Sequence, residues 1–478
     1  MANYVSERLQ TPVRGEYDVL VAGGGTAGIV AALAAARNGA KTALIERQMF
    51  LGGTLLGGGI KWMSFFNAYL AHNVEKKQCV GGIGQELVDR MVAEGGGPGH
   101  IEERINFGHE SVGTQVDREL LMKVLLEMAE EAGVSLFLNT MTVGTVKEEN
   151  RVAGLFIQSK SGREALLAKC VVDCTGDGDV AACAGEAYEN LSDRLGIGLM
   201  FGMGNVDLNR AVRYASEQKI LSHLGLGNKG SDTDHIIWAA IDLYKDPHFS
   251  EFMNQYGIWG PYISSTHENE ATYINGITTT VSRENSANPD ADGLAEALPP
   301  FCNTNGIDAR ALSECEVYLR EKIFEWAELL KAHLPGFERA HVCWTAPDLG
   351  VRSTRRIACE YDITASDIAD GVIPDDSIGI FGGNDSNYYD STIKGGKWFG
   401  IPYRALVPKT VDGLLMAGRM ITSDFTAHMS TRLVGACFLA GQAAGTAAAL
   451  CARESILPRA LSADRLREVL RRDGAILK

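Results

Sequence analysis

Three groups of residues in this 478-residue chain have types and spacings that chemistry could use. The first is Gly23, Gly25 and Gly28 in G-x-G-x-x-G order, with Thr26 and Ala27 inside the motif and Glu46 further on. Gly23 suits a tight turn, Gly25 lets a pyrophosphate approach the backbone, and Gly28 lets helix and strand pack closely. Glu46 can accept hydrogen bonds from both hydroxyls of an adenosine ribose. The second group is Thr175-Gly176-Asp177-Gly178-Asp179. Its carboxylates can hold water or N–H groups near the pyrophosphate; alternatively Asp179 only caps a following helix. The third is His428 and Arg432, an i,i+4 pair that faces one side of a helix. An Arg there can grip a carboxylate bidentately or polarise a carbonyl, and a His can move a proton near neutral pH. The alternative is a structural Arg tying loop carbonyls beside a satisfied His. Arg352, Arg355 and Arg356 form another basic cluster that either reaches the same site or makes structural salt bridges.

These residues need elements to position them. Asp18 to Ala22 is a short apolar run that fits a buried parallel strand. Ile29 to Arg37 reads as a helix stopped by Gly39, and Lys41 to Ile45 as a second strand with Glu46 at its end. Strand, glycine turn, helix, strand and acid in that order make a dinucleotide site, with the phosphates over the helix N-terminus. Gly52, Gly53, Gly57, Gly58 and Gly59 then form a loop whose backbone can lie against a flat ring, whereas Gly95 to Gly97 with Gly99 read as an exposed loop. Asp117 is an N-cap for a helix to Ala132. Val134 to Leu138, Thr142 to Lys147, Val152 to Gln158 and Lys169 to Cys174 read as strands, the last delivering the second group to a sheet edge.

From Glu186 to about Thr345 the aromatics Tyr214, Trp238, Tyr244, Phe249, Phe252, Tyr256, Trp259, Tyr262 and Tyr273 suggest an inserted domain, some of them lining a cleft. Ser313 and Glu316 have capping-box spacing for a helix through Leu319, Ile323, Trp326 and Leu330, ending at Leu334-Pro335-Gly336. The dinucleotide domain then resumes, with a strand at Leu414 to Ala417 followed by Gly418-Arg419. Leu433 to Ala452 holds no charge and is long enough to span a membrane. Its Gly435, Gly441, Gly445, Gln442 and Thr446 favour a buried helix instead. Ser462 to Arg472 reads as a short basic helix on the solvated surface.

A net charge of −15 argues against nucleic acid or anionic membrane as partner. The ten Cys contain no C-x-x-C, so a reducing cytoplasm is expected, with no metal site and no dithiol relay from a nicotinamide nucleotide. The first sixteen residues lack the apolar core of a signal peptide.

The landmarks GGGTAG at 23–28, LGGT at 51–54, VDRELL at 116–121, VVDCTGDGD at 171–179, LGVRSTRR at 349–356, IPYRALVP at 401–408 and the run 414–445 form a pattern. It resembles FAD-dependent oxidoreductases that are distant relatives of fumarate reductase and succinate dehydrogenase flavoprotein subunits. The resemblance implies an α/β fold: a discontinuous, Rossmann-like FAD-binding domain of glutathione-reductase type with an inserted α+β substrate domain. The expected division is 15–185 and 346–456 for FAD, 186–345 for substrate, and 457–478 as a tail helix. Carried over by position, Gly23, Gly25, Thr26, Ala27, Gly28 and Glu46 hold pyrophosphate and ribose. Arg47 flanks the adenine, Val143 gives it a backbone contact, and Gly52, Gly53 and Thr54 complete the cofactor loop. Thr175, Gly176, Asp177, Gly418 and Arg419 lie near pyrophosphate and ribitol. Gly441, Gln442 and Ala443 supply a helix N-terminus at the flavin pyrimidine edge. Arg432, with His428, sits where fumarate reductases keep an Arg that grips the substrate carboxylate. No His follows LGGT for covalent attachment, so noncovalent FAD is expected. The implied chemistry is hydride transfer between flavin N5 and a small anionic or carbonyl-bearing molecule, as dehydrogenation or alkene reduction with an unidentified electron acceptor. A flavin-dependent hydratase, lyase or isomerase, and a subunit of an electron-transfer complex, are the alternatives; a homo-oligomer is left open.

Overall fold

A computed structural model describes residues 5–60, 62–102, 111–192, 195–227, 235–256, 262–264, 270–278, 305–383 and 398–478. The apolar run at the start of the chain is the centre of the main sheet. Val13–Ala22 pairs in parallel with Thr42–Ile45 on one side and with Gly162–Asp173 on the other. Ser135–Phe137 extends one flank, and the antiparallel strands Arg151–Ser159 and Met141–Glu148 extend the other. Leu414–Met416 returns from far along the chain and also pairs in parallel with Gly162–Asp173, Met416 opposite Asp173. Val19 to Ala22 are fully buried because both faces of this part of the sheet are covered.

One cover is the helix Thr26–Arg37, packed on the late helix Val434–Glu454. Their contact is backbone on backbone. A Cβ on Gly441 would fall 2.3 Å from the Ala27 carbonyl oxygen, and one on Gly445 would fall 2.0 Å from that of Ala31. The late helix is the one described helix long and apolar enough to cross a membrane, and 94% of its most apolar window is buried inside the protein.

A second layer lies between Gly198 and Thr345. Its strands run in the order Leu221–Gly227, His235–Ile241, Tyr262–Ser264, Glu270–Thr278, Gly198–Gly204, His341–Thr345, all antiparallel. The helices Leu208–Glu217, Pro247–Tyr256 and Ala309–His333 accompany it, and its core holds Phe201, Phe249, Leu319, Ile323 and Trp326. Phe249 meets Trp326 edge-on and Phe252 stacks on it, so these aromatics fill a core. Trp259 lies outside the described residues. The expected capping box is absent. The long helix starts one turn earlier, where Asp308 accepts from the Ala311 N–H (2.7 Å), and the Ser313 hydroxyl donates back to the Ala309 carbonyl. An aspartate upstream caps first, and Glu316 pairs with Arg320 instead.

Three short strands unmarked in the sequence, Trp62–Ser64, Val112–Gln115 and His100–Glu102, form a small antiparallel sheet. It encloses part of the expected exposed glycine loop: Gly96 and Gly97 are buried, and a Cβ on Gly97 would fall 2.4 Å from the Gln115 carbonyl oxygen. Asp117 caps the next helix, Arg118–Glu131, accepting from Leu120 N–H. The tail helix Ala463–Arg472 is likewise less solvated than its charges suggest. Leu466, Val469 and Leu470 are buried, and so is Arg467, which donates to the Ser377 carbonyl. A long apolar stem lets that arginine lie inward while its head finds a carbonyl.

Candidate cofactor and substrate site

The glycine turn is built by close approach. Gly23 has φ +94°, which only glycine adopts without strain, and a Cβ there would fall 2.5 Å from the Cys174 carbonyl oxygen. One on Gly28 would fall 1.7 Å from the Gly23 carbonyl oxygen. Gly25 is the N-cap of the first helix, no side chain caps it, and the first turn holds no acid. The first intrahelical bond runs from Ile29 N–H to the Gly25 carbonyl, which leaves the N–H groups of Thr26, Ala27 and Gly28 for an anion. Gly52-Gly53-Thr54 folds over this turn: Gly52 N–H donates to Gly24 (2.8 Å), and a Cβ on Gly53 would fall 2.7 Å from Gly25 Cα. A side chain at either crossing would fill the space beside the helix N-terminus.

Glu46 stands beside the turn, 7% exposed. Gly24 N–H donates to its Oε2 (2.6 Å) and Gln48 N–H to its Oε1 (2.8 Å), while burial raises its pKa. Asn139 and Thr140 N–H groups donate to the Gln48 and Glu46 carbonyls, so the strand carrying Val143 begins next to Glu46. Met49, Met141 and Val143 are exposed apolar side chains on these segments, a rim suited to a flat base. Arg47 is mostly exposed, 3.7 Å from Asp348.

At the edge of the central strand the organiser is a residue that sequence reasoning passed over. Asp173 is fully buried and accepts from Thr175 N–H (3.0 Å), Thr175 Oγ1 (2.7 Å) and Ala181 N–H (3.0 Å). Burial pushes its pKa up to about 6. Its signal was a lone acid closing an apolar strand. Asp177 accepts from Arg419 and from Thr354 Oγ1 (2.7 Å), which brings Gly176-Asp177 and Gly418-Arg419 together. Asp179 makes no cap; it pairs with Arg355 (2.7 Å) at the start of a helix whose N-cap is Gly178. Arg356 pairs with Glu189, and Arg352 donates to the Gly196 carbonyl (2.6 Å). Arg355 and Arg356 are thus engaged in salt bridges.

The late helix corrects one expectation. It begins at Val434 with Leu433 as N-cap, so Gly441, Gln442 and Ala443 lie two turns inside and offer no helix N-terminus. Gln442 instead accepts from Ile83 N–H (3.2 Å) and donates to the Asp473 carbonyl (3.1 Å). The N-terminal turn, Val434 to Ala436, meets the small sheet: a Cβ on Gly435 would fall 2.1 Å from the Ser64 carbonyl oxygen.

Just before it, Asp424 caps the helix Phe425–Thr431, which carries His428 and ends at Arg432. His428 Nε2 lies 3.2 Å from the Arg352 carbonyl oxygen. A carbonyl only accepts, so Nε2 carries the proton and Nδ1 the lone pair. Burial, reinforced by Arg432, pulls the imidazole pKa down to about 3. The expected near-neutral proton carrier is thus a neutral, weakly basic imidazole that positions by hydrogen bonding.

The Gly57–Gly59 loop closes on the antiparallel layer. Asp348 N–H donates to the Gly57 carbonyl (3.0 Å), and a Cβ on Gly59 would touch the Trp344 ring at 3.1 Å. Trp62 stacks on Trp238 with centroids 4.3 Å apart.

The chain is similar to several known proteins. Digeranylgeranylglycerophospholipid reductase 1 of Methanococcoides burtonii is 24% identical over 210 residues, 42% of this chain and 48% of the relative. Thiamine thiazole synthase of Methanococcus maripaludis is 28% identical over 169 residues, 34% of this chain and 56% of the relative. The chain thus spans about half of the length of these curated relatives. Among solved structures, a geranylgeranyl bacteriochlorophyll reductase-like protein from Thermoplasma acidophilum is 16% identical, with a TM-score of 0.45 over 96% of this chain and 84% of that one. The myxobacterial chondrochloren halogenase is 14% identical, with a TM-score of 0.46 over 96% of this chain and 79% of that one. A family model described as FAD dependent oxidoreductase matches residues 18–470, and the chain belongs to that family, an enzyme with FAD as cofactor.

Proposed function

We propose that the enzyme transfers a hydride between FAD and a small organic molecule bearing an anionic or carbonyl group, by dehydrogenation or alkene reduction. The observation that supports this reading is that His428 and Arg432 lie on the helix, and at its C-cap, immediately before the late helix that packs on the glycine-turn helix. FAD, held noncovalently, supplies the two-electron chemistry. Gly23 to Gly28 with Gly52 to Thr54 would hold its pyrophosphate, Glu46 its ribose, Arg47 and Val143 its adenine end. Thr175 to Asp177 and Gly418-Arg419 would hold its central part. Arg432 would orient the substrate's oxygen atoms through its planar donors, beside His428, whose Nε2–H is held by the Arg352 carbonyl. The 186–345 segment supplies the substrate wall, and a separate electron acceptor or donor completes turnover.

The test is anaerobic mixing of the FAD-loaded protein with a panel of metabolites while the visible flavin band is followed. Sustained bleaching or reoxidation by one compound is the expected result; turnover with an unchanged band would place the enzyme among flavin-dependent lyases or isomerases. Arg432→Ala should keep FAD and lose about 10- to 100-fold in kcat/KM, the worth of one charge-assisted contact. Colourless Arg432→Ala protein would show that the residue serves the cofactor.

A further inference from the structure

On the wall of the proposed substrate cleft, two polar side chains carry buried atoms with no hydrogen-bond partner among the described residues. Gln115 is 1% exposed, and among the described residues neither its Oε1 nor its Nε2 has a hydrogen-bond partner. Arg118, three residues on, opens the helix Arg118–Glu131. Its Nε is buried without a partner, and no described carboxylate pairs with it. One face of its guanidinium lies over the Trp344 ring, 4.5 Å from the centroid. Stacking occupies the face and leaves the N–H edge for an acceptor. Among the described residues that edge meets no carboxylate, although the chain has 60 acidic and 45 basic residues.

Register shows where Gln115 points. It lies opposite Trp62, and Gly113 lies opposite Ser64. Cross-strand partners and alternate residues share a face. Trp62 covers Gly113 and stacks on Trp238 of the antiparallel layer, so Gln115 faces that layer too. Along the same strand, two residues or about 7 Å away, Ser64 touches Gly435 at the start of the late helix. The small sheet that carries Gln115 thus meets the late helix at Gly435, three residues after Arg432. Gln115 and Arg118 stand apart from the phosphate turn. Leu125 is the side chain that meets Gly52, and seven helical residues separate it from Arg118, about 10 Å.

We propose that Gln115 and Arg118 anchor a carboxylate on a substrate whose body is flat and apolar, the body lying among Trp62, Trp238 and Trp344. The arginine edge gives two parallel N–H bonds, and the amide adds a third donor. The proposal rests on the reading of this cleft as the substrate site. Its test is a binding titration, which needs no turnover. FAD-loaded protein is titrated with cinnamate and with the uncharged cinnamamide, and the shift of the visible flavin band gives each Kd. Cinnamate should saturate the wild type. Arg118→Ala should raise its Kd at least tenfold, with Arg118→Lys intermediate, and Gln115→Leu should raise it severalfold. Cinnamamide should respond little to any of them, and the FAD Kd, read by flavin fluorescence, should stay the same. An unchanged cinnamate Kd in Arg118→Ala, or no saturable shift in the wild type, overturns the proposal. Loss of FAD from Arg118→Ala also overturns it, by assigning the guanidinium to the cofactor's phosphates. If Arg118→Ala does not fold by circular dichroism, unchanged cinnamate Kd values in Arg118→Lys and Gln115→Leu overturn it. Arg118-dependent binding alongside a flavin that no compound bleaches would uphold the anchor while sinking hydride transfer.

Discussion

Both oxygens of Glu46 already accept a backbone N–H, from Gly24 and from Gln48. Each keeps a further lone pair for a ribose hydroxyl. Glu46→Gln keeps the shape but turns an NH2 against one of those N–H donors. FAD affinity measured by fluorescence titration should fall by about 10- to 100-fold, as for loss of a charge-assisted bond. His428 makes a different prediction. Its pKa is about 3 in the fold against a usual 6.5, so below pH 6.5 the unfolded chain takes up a proton that the native state refuses. Its contribution is therefore intact above pH 6.5 and is lost as the pH falls towards 3. At pH 5 that amounts to about 2 kcal/mol. His428→Phe should flatten this part of the stability curve, seen as a smaller drop in Tm between pH 7 and 5. At this scale the glycines and Glu46 were legible because their chemistry is local in sequence. The state of His428 was not, because it depends on burial and on a carbonyl 76 residues away.

The two glycines of the late helix decide how the main elements pack. With Ala27 and Ala31 carbonyls 2.3 Å and 2.0 Å from the missing Cβ positions, even a small side chain separates the helices. Gly445→Val should destabilise by about 1–3 kcal/mol or more and lower FAD content, because Ala27 belongs to the turn proposed to hold the pyrophosphate. Calorimetry and flavin absorbance of one preparation check both. The glycine spacing made the close approach readable, yet the start of the same helix was not. Leu433 has no side chain able to cap, so a charge-free run gives no mark of where coil becomes helix. The aspartate at 117 did mark its helix, and the one at 308 overrode a downstream Ser-x-x-Glu.

Across the whole molecule, the parallel sheet could be inferred from apolar runs of the right length, while the antiparallel layer and the small three-stranded sheet could not. The small sheet's strands of three or four residues carry almost no periodicity, and the order of the antiparallel layer is set by pairing between strands remote in sequence. The join between layers includes the Trp62–Trp238 stack. Replacing each tryptophan by leucine, singly and together, should reveal a coupling of about 0.5–1.5 kcal/mol in urea melts. Additive effects would mean that the two layers do not lean on each other there.

The return of residues 414–454 to the first sheet sets an order of events for a growing polypeptide. The glycine turn is synthesised early, but its flanking helix waits for a cover made roughly 400 residues later. Until that cover docks, the nascent chain carries an uncovered apolar flank and an incomplete cradle. Uptake of the yellow cofactor therefore reports that translation has passed the late helix, and ribosome-stalled chains lacking it should be colourless and sticky.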